Sequence, residues 1–403
     1  MRATLVVLHR WFGLFIALFL LFAGLTGALI AWDHELDEWL NPHLFKASSS
    51  GPVQHPLALA NQLEAGDPRI RVSYLPLHQE SGHSLGLQVQ PRPDAHGKWP
   101  ALEFDQLALD PVSGAVLGQR LWGAISLSRE NLMPFLYKLH YSLHIPDGFG
   151  LPLGMLLFGL ISIVWVIDSG IALWIAFPTW RSWRKSLAFR WRQGGYKLNF
   201  DLHRSGGVWL WGLLLLIAVT SVSMNLQFQV MRPLVNLFST LSPSPFEQRT
   251  PLLLEQTPEP GLTREQAIAL AQTEMHSRGV AVPPGGIFYS AEFALYGVSF
   301  FAPGDEHGDG GLGNPWVTLD AADGSILSAD IPGQGSAGDL FMQAQFPLHS
   351  GRILGLPGRI LVSLLGVLVA MLSLTGVIIW LRKRAGRRLM AARTVRVTAA
   401  PAG

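Results

Sequence analysis

The chain of 403 residues contains no cysteine. That absence excludes disulfides, iron–sulfur clusters, thiolate zinc sites, covalently attached c-type haem and cysteine nucleophiles in one step. Redox chemistry in such a chain needs a non-covalent cofactor with histidine, methionine or oxygen ligands. Charge is also scarce. Only 14% of residues are charged against 49% apolar, far from an average soluble domain, and lipid is the expected solvent. The formal net charge of +2 supplies no global field for nucleic acid, so the local placement of basic residues carries the information.

What is present in excess is apolar helix. Four stretches, 11–32, 149–177, 205–231 and 360–381, are long enough to cross a hydrocarbon layer of about 30 Å, which takes about 20 helical residues. The first is too long for a signal-peptide core and reads as an uncleaved anchor. Basic clusters flank the spans: Arg2 and Arg10; then Arg181, Arg184, Lys185, Arg190, Arg192, Lys197 and Arg204; then Arg382, Lys383, Arg384, Arg387 and Arg388. The positive-inside rule puts all three on the cytoplasmic side, together with both termini. Trp32, Trp39, Trp174, Trp180, Trp183 and Trp380 flank the spans as interface anchors. The intervening segments then lie outside, and their strand and turn signals, such as Asp110-Pro-Val-Ser-Gly and Asp320-Ala-Ala-Asp-Gly, predict two small α+β units. Thr263 and Gln266 form a capping-box helix start.

The chain repeats itself. Leu8-His9-Arg10 with Gly13 and Thr26 recurs at one constant offset as Leu202-His203-Arg204 with Gly207 and Thr220. His144 precedes Gly150-Leu151-Pro152 as His349 precedes Gly355-Leu356-Pro357, and Ser169-Gly170 with Trp174 resembles Thr375-Gly376 with Trp380 after a one-residue slip. Two parallel repeats, each helix, external domain, helix, are related by an axis along the membrane normal. That axis sets His9 opposite His203 near the cytoplasmic face and His144 opposite His349 at the outer edge. Opposed imidazoles in a helix bundle are what bis-histidine haem ligation requires, and two pairs imply two haems. His140 and His144 are four apart on one helical face, so they cannot bracket the same iron, and either can be the outer ligand. The Gly-Leu-Pro spacing favours His144. Arg10 and Arg204 can pair with propionates or serve only as positive-inside residues.

The stretches His9-Arg-Trp-Phe-Gly, His140-Tyr-Ser-Leu-His144, Asn199-Phe-Asp-Leu-His-Arg-Ser-Gly-Gly and Pro347-Leu-His-Ser-Gly-Arg-Ile-Leu-Gly-Leu-Pro-Gly-Arg resemble the PepSY-associated transmembrane family. The His-Tyr-x-x-His form is similar to its siderophore-iron reductase branch. The resemblance implies a bacterial inner-membrane protein with PepSY-like periplasmic domains, two non-covalent b-type haems, and reduction of ferric siderophores to release Fe(II). Electrons would enter at the His9/His203 haem and leave from the outer one toward a ferric siderophore. The expected fold class is membrane α+β. Its parts are TM helix 1 at 1–32, PepSY-like domain 1 at 33–131, an amphipathic segment and TM helix 2 at 132–180, a cytoplasmic loop at 181–204, TM helix 3 at 205–231, PepSY-like domain 2 at 232–346, TM helix 4 at 347–382 and a cytoplasmic tail at 383–403.

Other signals weigh less. Gly308-Asp-Gly-Gly-Leu-Gly313 fits a dinucleotide pattern but sits in a Gly/Asp-rich external loop without a strand-to-helix context. Asp305, Glu306, His307 and Asp309 there are better read as solvated than as metal ligands. Asp168, ionisable inside the second span, is expected to face the bundle, as a structural hydrogen-bond partner or a proton carrier. No cytoplasmic segment is long enough for a flavin or nicotinamide domain, so the donor would be a quinol, a cytoplasmic reductase or a small reductant. Two other classes compete: a non-enzymatic membrane-anchored PepSY binding or regulatory protein, and a siderophore or haem permease, which would call for interrupted helices. Replacing His203 or His349 with Ala is expected to remove one haem equivalent, read as the haem-to-protein ratio of purified protein; an unchanged ratio in both would refute the ligand assignment.

Overall fold

A computed structural model of the chain describes residues 1–94, 96–179, 181 and 183–398; Trp180 and residues 399–403 of the expected tail lie outside the described residues. In chain order the main elements are α1 (Arg2–Ile30), α2 (Pro56–Gly66), β1 (Ile70–Pro76), β2 (Leu85–Pro91), β3 (Gln106–Leu109), β4 (Val116–Arg120), α3 (Leu132–Ser142), α4 (Leu153–Ala176), α5 (Gly195–Asn225), α6 (Arg264–Ser277), β5 (Pro284–Ser290), β6 (Leu295–Phe300), β7 (Trp316–Asp320), β8 (Ile326–Asp330), α7 (Ala337–Ser350) and α8 (Leu356–Thr398), with short helical turns between them. They form two compact units: 1–31, 139–227 and 360–403, and 32–138 with 228–359.

Among the described residues, four helices are long and apolar enough to span a membrane, α1, α4, α5 and α8, and they lie in the first unit. Lipid offers no hydrophobic drive between helices, so they associate where small residues let backbones approach. At Gly24 of α1 and Gly366 of α8 each Cα faces the other helix so closely that a Cβ on Gly24 would lie 2.5 Å from the Gly366 carbonyl oxygen. Leu214, Leu365 and Val369 fill the interior beside this crossing, while Phe15, Leu18, Leu364 and Leu374 point outward. The indole N–H of Trp211 on α5 donates to the Ser169 carbonyl on α4 at 3.0 Å.

Three boundaries differ from the sequence reading. The third span starts at Gly195 rather than 205, because its polar first turns are satisfied: Asp201 is paired with Arg190 at 2.7 Å and Asn199 donates to the Thr375 carbonyl at 3.2 Å. His203 therefore sits inside the helix, not at its start. The last helix continues through the basic cluster to Thr398 instead of ending at 382, since Arg, Lys, Leu, Met and Ala are good helix formers. The stretch taken as a single fourth span from 347 is broken at Gly351 and Gly355, whose φ values of 77° and 61° are left-handed.

In the second unit the two external segments do not fold apart. Their strands join one antiparallel sheet in the order β4-β3-β2-β1-β5-β6-β7-β8. The junction pairs Tyr74 with Phe288, Leu75 with Ile287 and Pro76 with Gly286, so each segment covers the open edge of the other. Strand β2 alternates in burial, with Leu85, Leu87 and Val89 inward. Helices α2 and α6 lie on the sheet, and the buried Ala60, Ala267 and Ala271 share one core with Leu75, Ile287, Val298 and Phe300. The capping box at Thr263 and Gln266 is formed.

The turn after β3 is organised by Asp110. Its buried carboxylate accepts from the N–H groups of Ser48, Ser49, Val112 and Ser113 and from the hydroxyls of Ser48 and Ser113, at 2.7 to 3.0 Å. The Ser113 and Ser48 hydrogen bonds hold this carboxyl well below the usual aspartate range. A depressed folded-state value contributes stability that is present above the unfolded value, about 3.9, and is lost as pH falls below it. Asp110→Asn is expected to lower the thermal midpoint at neutral pH and to flatten its decline below about pH 4; a variant with the parental acid profile would show that Asp110 contributes nothing there.

Candidate functional site

The first unit brings His9 of α1 and His203 of α5 together, with ring centroids 6.1 Å apart and planes tilted by 43°. Both rings are held through Nδ1. That of His9 lies 2.9 and 3.0 Å from the two carboxylate oxygens of Asp168 on α4. That of His203 lies 3.0 Å from the Leu372 carbonyl oxygen and 3.3 Å from the Thr375 hydroxyl on α8. A carbonyl or carboxylate oxygen only accepts, so each Nδ1 is assigned the proton and each Nε2 keeps a lone pair. This is how metal-ligating imidazoles are usually oriented.

Two metal–imidazole bonds of roughly 2 Å on one line, with the ring centres set back behind their nitrogens, separate the centroids by about 6 Å. The observed spacing fits. The pair opens into a cavity of about 470 Å³, within the roughly 300 to 1,000 Å³ of small-molecule and cofactor sites. Its walls are apolar, from Leu20, Trp165, Leu214 and Val369, and its polar lining includes Arg2, Arg10, Arg204, Lys383 and Arg387. The repeat-matched Gly13 and Gly207 both line it, and a Cβ on either would meet nothing within 4 Å. Room for a flat macrocycle is thus left on both sides. The Nε atoms of Arg10 and Arg204 are buried without an acceptor among the described residues. A buried guanidinium N–H without a partner is costly, and a carboxylate entering the cavity would satisfy it. The residues present therefore fit a bis-histidine haem, which His9 and His203 would hold and whose propionates Arg10 and Arg204 would take.

His203 rests in a notch made by Thr375-Gly376, where a Cβ on Gly376 would lie 2.9 Å from its Cε1. His140 of α3 rests in the same kind of notch on α1. A Cβ on Gly27 would lie 2.8 Å from its Cε1, and its Nδ1 is 3.0 Å from the Thr26 hydroxyl. The two hydroxyls are turned alike: Thr26 donates to the Phe22 carbonyl and Thr375 to the Met371 carbonyl, at 2.7 and 2.8 Å. His144 lies beyond the end of α3 with a left-handed φ of 55°, its N–H 3.3 Å from the Ser142 hydroxyl. His349 occupies the last turn of α7 in the second unit. Asp309 of the glycine-rich loop is paired with Arg352 at 2.9 Å, and no cluster of three or more His, Asp or Glu suited to a bare metal ion occurs among the described residues.

Residues 6–383 match the family model described as the PepSY-associated TM region. The chain belongs to the PepSY-associated transmembrane family. A search of curated proteins finds no match. The match in this PepSY-associated transmembrane protein spans all five histidines named above, together with Asp168 and both Thr-Gly notches. The sequence reading left the role of Asp168 open and did not assign Thr26, Gly27, Thr375 and Gly376 to the histidines. The signal for Asp168 was its ionisable group inside an apolar span; for the notches it was Thr26 within one repeat match and Thr375-Gly376 within the other.

Gly376→Val is expected to drive the His203 ring out of its notch and weaken retention of a haem by about 10- to 100-fold, read as absorbance per protein after purification. Gly386→Val, where a Cβ meets nothing within 4 Å, serves as the control. Equal retention in the two would show that the notch does not position the ligand.

Proposed function

We propose that this membrane protein is a haem-dependent ferric-siderophore reductase of the bacterial inner membrane, with both termini cytoplasmic and the sheet unit periplasmic. It would pass electrons across the bilayer and release iron as Fe(II). The observation that carries the reading is the pair His9 and His203, with ring centroids 6.1 Å apart and each Nδ1 hydrogen-bonded to an oxygen on a further helix. Anchoring alone supplies no reason for a buried carboxylate, two unpartnered guanidinium nitrogens and an apolar cavity in one place. A permease is disfavoured by four helices that run without interruption.

When bound, b-type haem supplies reversible one-electron chemistry at its iron. The chain's residues supply the rest. Asp168 and the Leu372 carbonyl fix the tautomer and direction of the two imidazoles. Arg10 and Arg204 take the anionic carboxylates of the ligand, and Leu20, Trp165, Leu214 and Val369 keep water from the ring face. The notch at Thr26 lies about 25 Å beyond His9 along α1, at about 1.5 Å per residue, which suits a second site at the opposite membrane face. There the notch favours His140 over His144, because its ring is oriented as that of His203 is. The sequence repeat matches His349 to His144 and not to His140, so it names no partner for His140. For a hydroxamate-type substrate, hard oxygen ligands hold Fe(III) better than Fe(II), so adding one electron loosens the complex.

Detergent-purified protein is expected to show a Soret band and sharp α and β bands on reduction. Pre-reduced protein mixed with a ferric hydroxamate should reoxidise as a ferrous chelator traps Fe(II). His140→Ala should lose one haem equivalent and His144→Ala should keep both. A colourless preparation would sink the haem reading; a coloured protein that is not reoxidised would leave a haem protein but not a siderophore reductase.

A further inference from the structure

The two imidazoles of the inner site have unlike partners. His203 faces neutral oxygens, the Leu372 carbonyl and the Thr375 hydroxyl. His9 faces a carboxylate, and both oxygens of Asp168 lie within 3.0 Å of the single Nδ1, the geometry of an acceptor pair rather than of an O–H donor. Asp168 is 6% exposed and belongs to a spanning helix, where a carboxylate is expensive. The repeat does not demand it. Aligning Ser169-Gly170 with Thr375-Gly376 puts Leu374 at the matching position, and Leu374 is half exposed on the outer surface of its helix. One half of the duplicated chain therefore carries an anion behind its ligand, while the other half has no carboxylate at the matching position and backs His203 with the Leu372 carbonyl and the Thr375 hydroxyl. The cationic residues lining the cavity, Arg2, Arg10, Arg204, Lys383 and Arg387, are available to both imidazoles and do not distinguish them.

We propose that Asp168 is a positioning and potential-setting residue: its carboxylate, through the His9 Nδ1–H, makes His9 the stronger electron donor of the two ligands and holds the inner site at a lower reduction potential than neutral partners would. The inference rests on the haem reading. A ligand imidazole that donates to a carboxylate is more basic than one that donates to a carbonyl, and negative charge near the iron favours its oxidised, more positive state. A low potential at the cytoplasmic end makes onward transfer downhill toward an outer site whose notch at Thr26 is a hydroxyl. Asp168 thereby gives direction to a pair of sites that the duplication alone would make alike.

Redox potentiometry of the full-length protein, followed at the α band, tests this. Asp168→Asn keeps a hydrogen-bond acceptor for His9 and removes the charge. It is expected to retain both haems and move one of the two midpoints to a more positive potential, the other staying in place. Gly386→Val, where a Cβ meets nothing within 4 Å, is expected to leave both midpoints within error. If Asp168→Asn loses the inner haem, Asp168→Glu, which restores the charge, should regain it at the parental midpoint; regain by Asp168→Gln instead would overturn the role of charge. Two unmoved midpoints in a fully loaded Asp168→Asn protein would refute the inference while leaving the haem reading intact. A wild-type protein without haem would refute the haem reading itself.

Discussion

A histidine in a spanning helix has two ring nitrogens and, in hydrocarbon, no water to satisfy either. The rest of the inner site depends on how that constraint is met. Tying Nδ1 of His9 to Asp168 and Nδ1 of His203 to the Leu372 carbonyl assigns the proton, stops ring rotation and leaves a lone pair on each Nε2. Neither tie is local: each reaches a neighbouring helix. The orientation of the ligands is therefore a property of the assembled bundle, and packing defects far from the cavity propagate to it.

Small residues make these ties possible. Gly27 and Gly376 each leave a space that an imidazole ring occupies, and Gly24 and Gly366 let α1 and α8 meet backbone to backbone. Each vacancy is occupied by a neighbour, so adding a Cβ would displace either a ring or a helix. The glycines lining the cavity behave differently. Gly13 and Gly207 face open space, which is the expected signature where a ligand, not protein, fills the volume. Two populations of glycine thus mark two functions along the same helices, close packing and ligand access.

Much of this was legible beforehand. Four apolar runs, three basic clusters and the offset between Leu8-His9-Arg10 and Leu202-His203-Arg204 were enough to expect the bundle and the opposition of His9 and His203. What could not be read was long-range partnering. Asp168 has no sequence relation to His9, and its role emerges only when α1 and α4 pack. The start of α5 was misplaced because Lys197, Asn199 and Asp201 read as polar loop; the ion pair of Asp201 with Arg190 and the bond from Asn199 to α8 make that turn tolerable as helix. The two external segments were read as separate units because β1 and β5 lie far apart in the chain and no local pattern announces their pairing.

Duplication explains why the two strand sets join as they do and why the bundle is not symmetric. Each of the two strand meanders has two edges, and pairing β1 with β5 covers one edge of each, leaving β4 and β8 at the ends of the sheet. The sheet halves gain from remaining alike, because an antiparallel junction of equivalent strands works only while both keep the same register. The helices are under the opposite pressure. In the proposed transfer path two equivalent sites would have no preferred direction, so a departure of one repeat from the other would serve it. Asp168, with no carboxylate at the matching position of the second repeat, is such a departure, placed directly behind His9. Symmetry in the soluble unit and asymmetry in the spanning unit therefore follow from one cause: the first is set by backbone pairing, which rewards identity, and the second by charge, which acts only through difference.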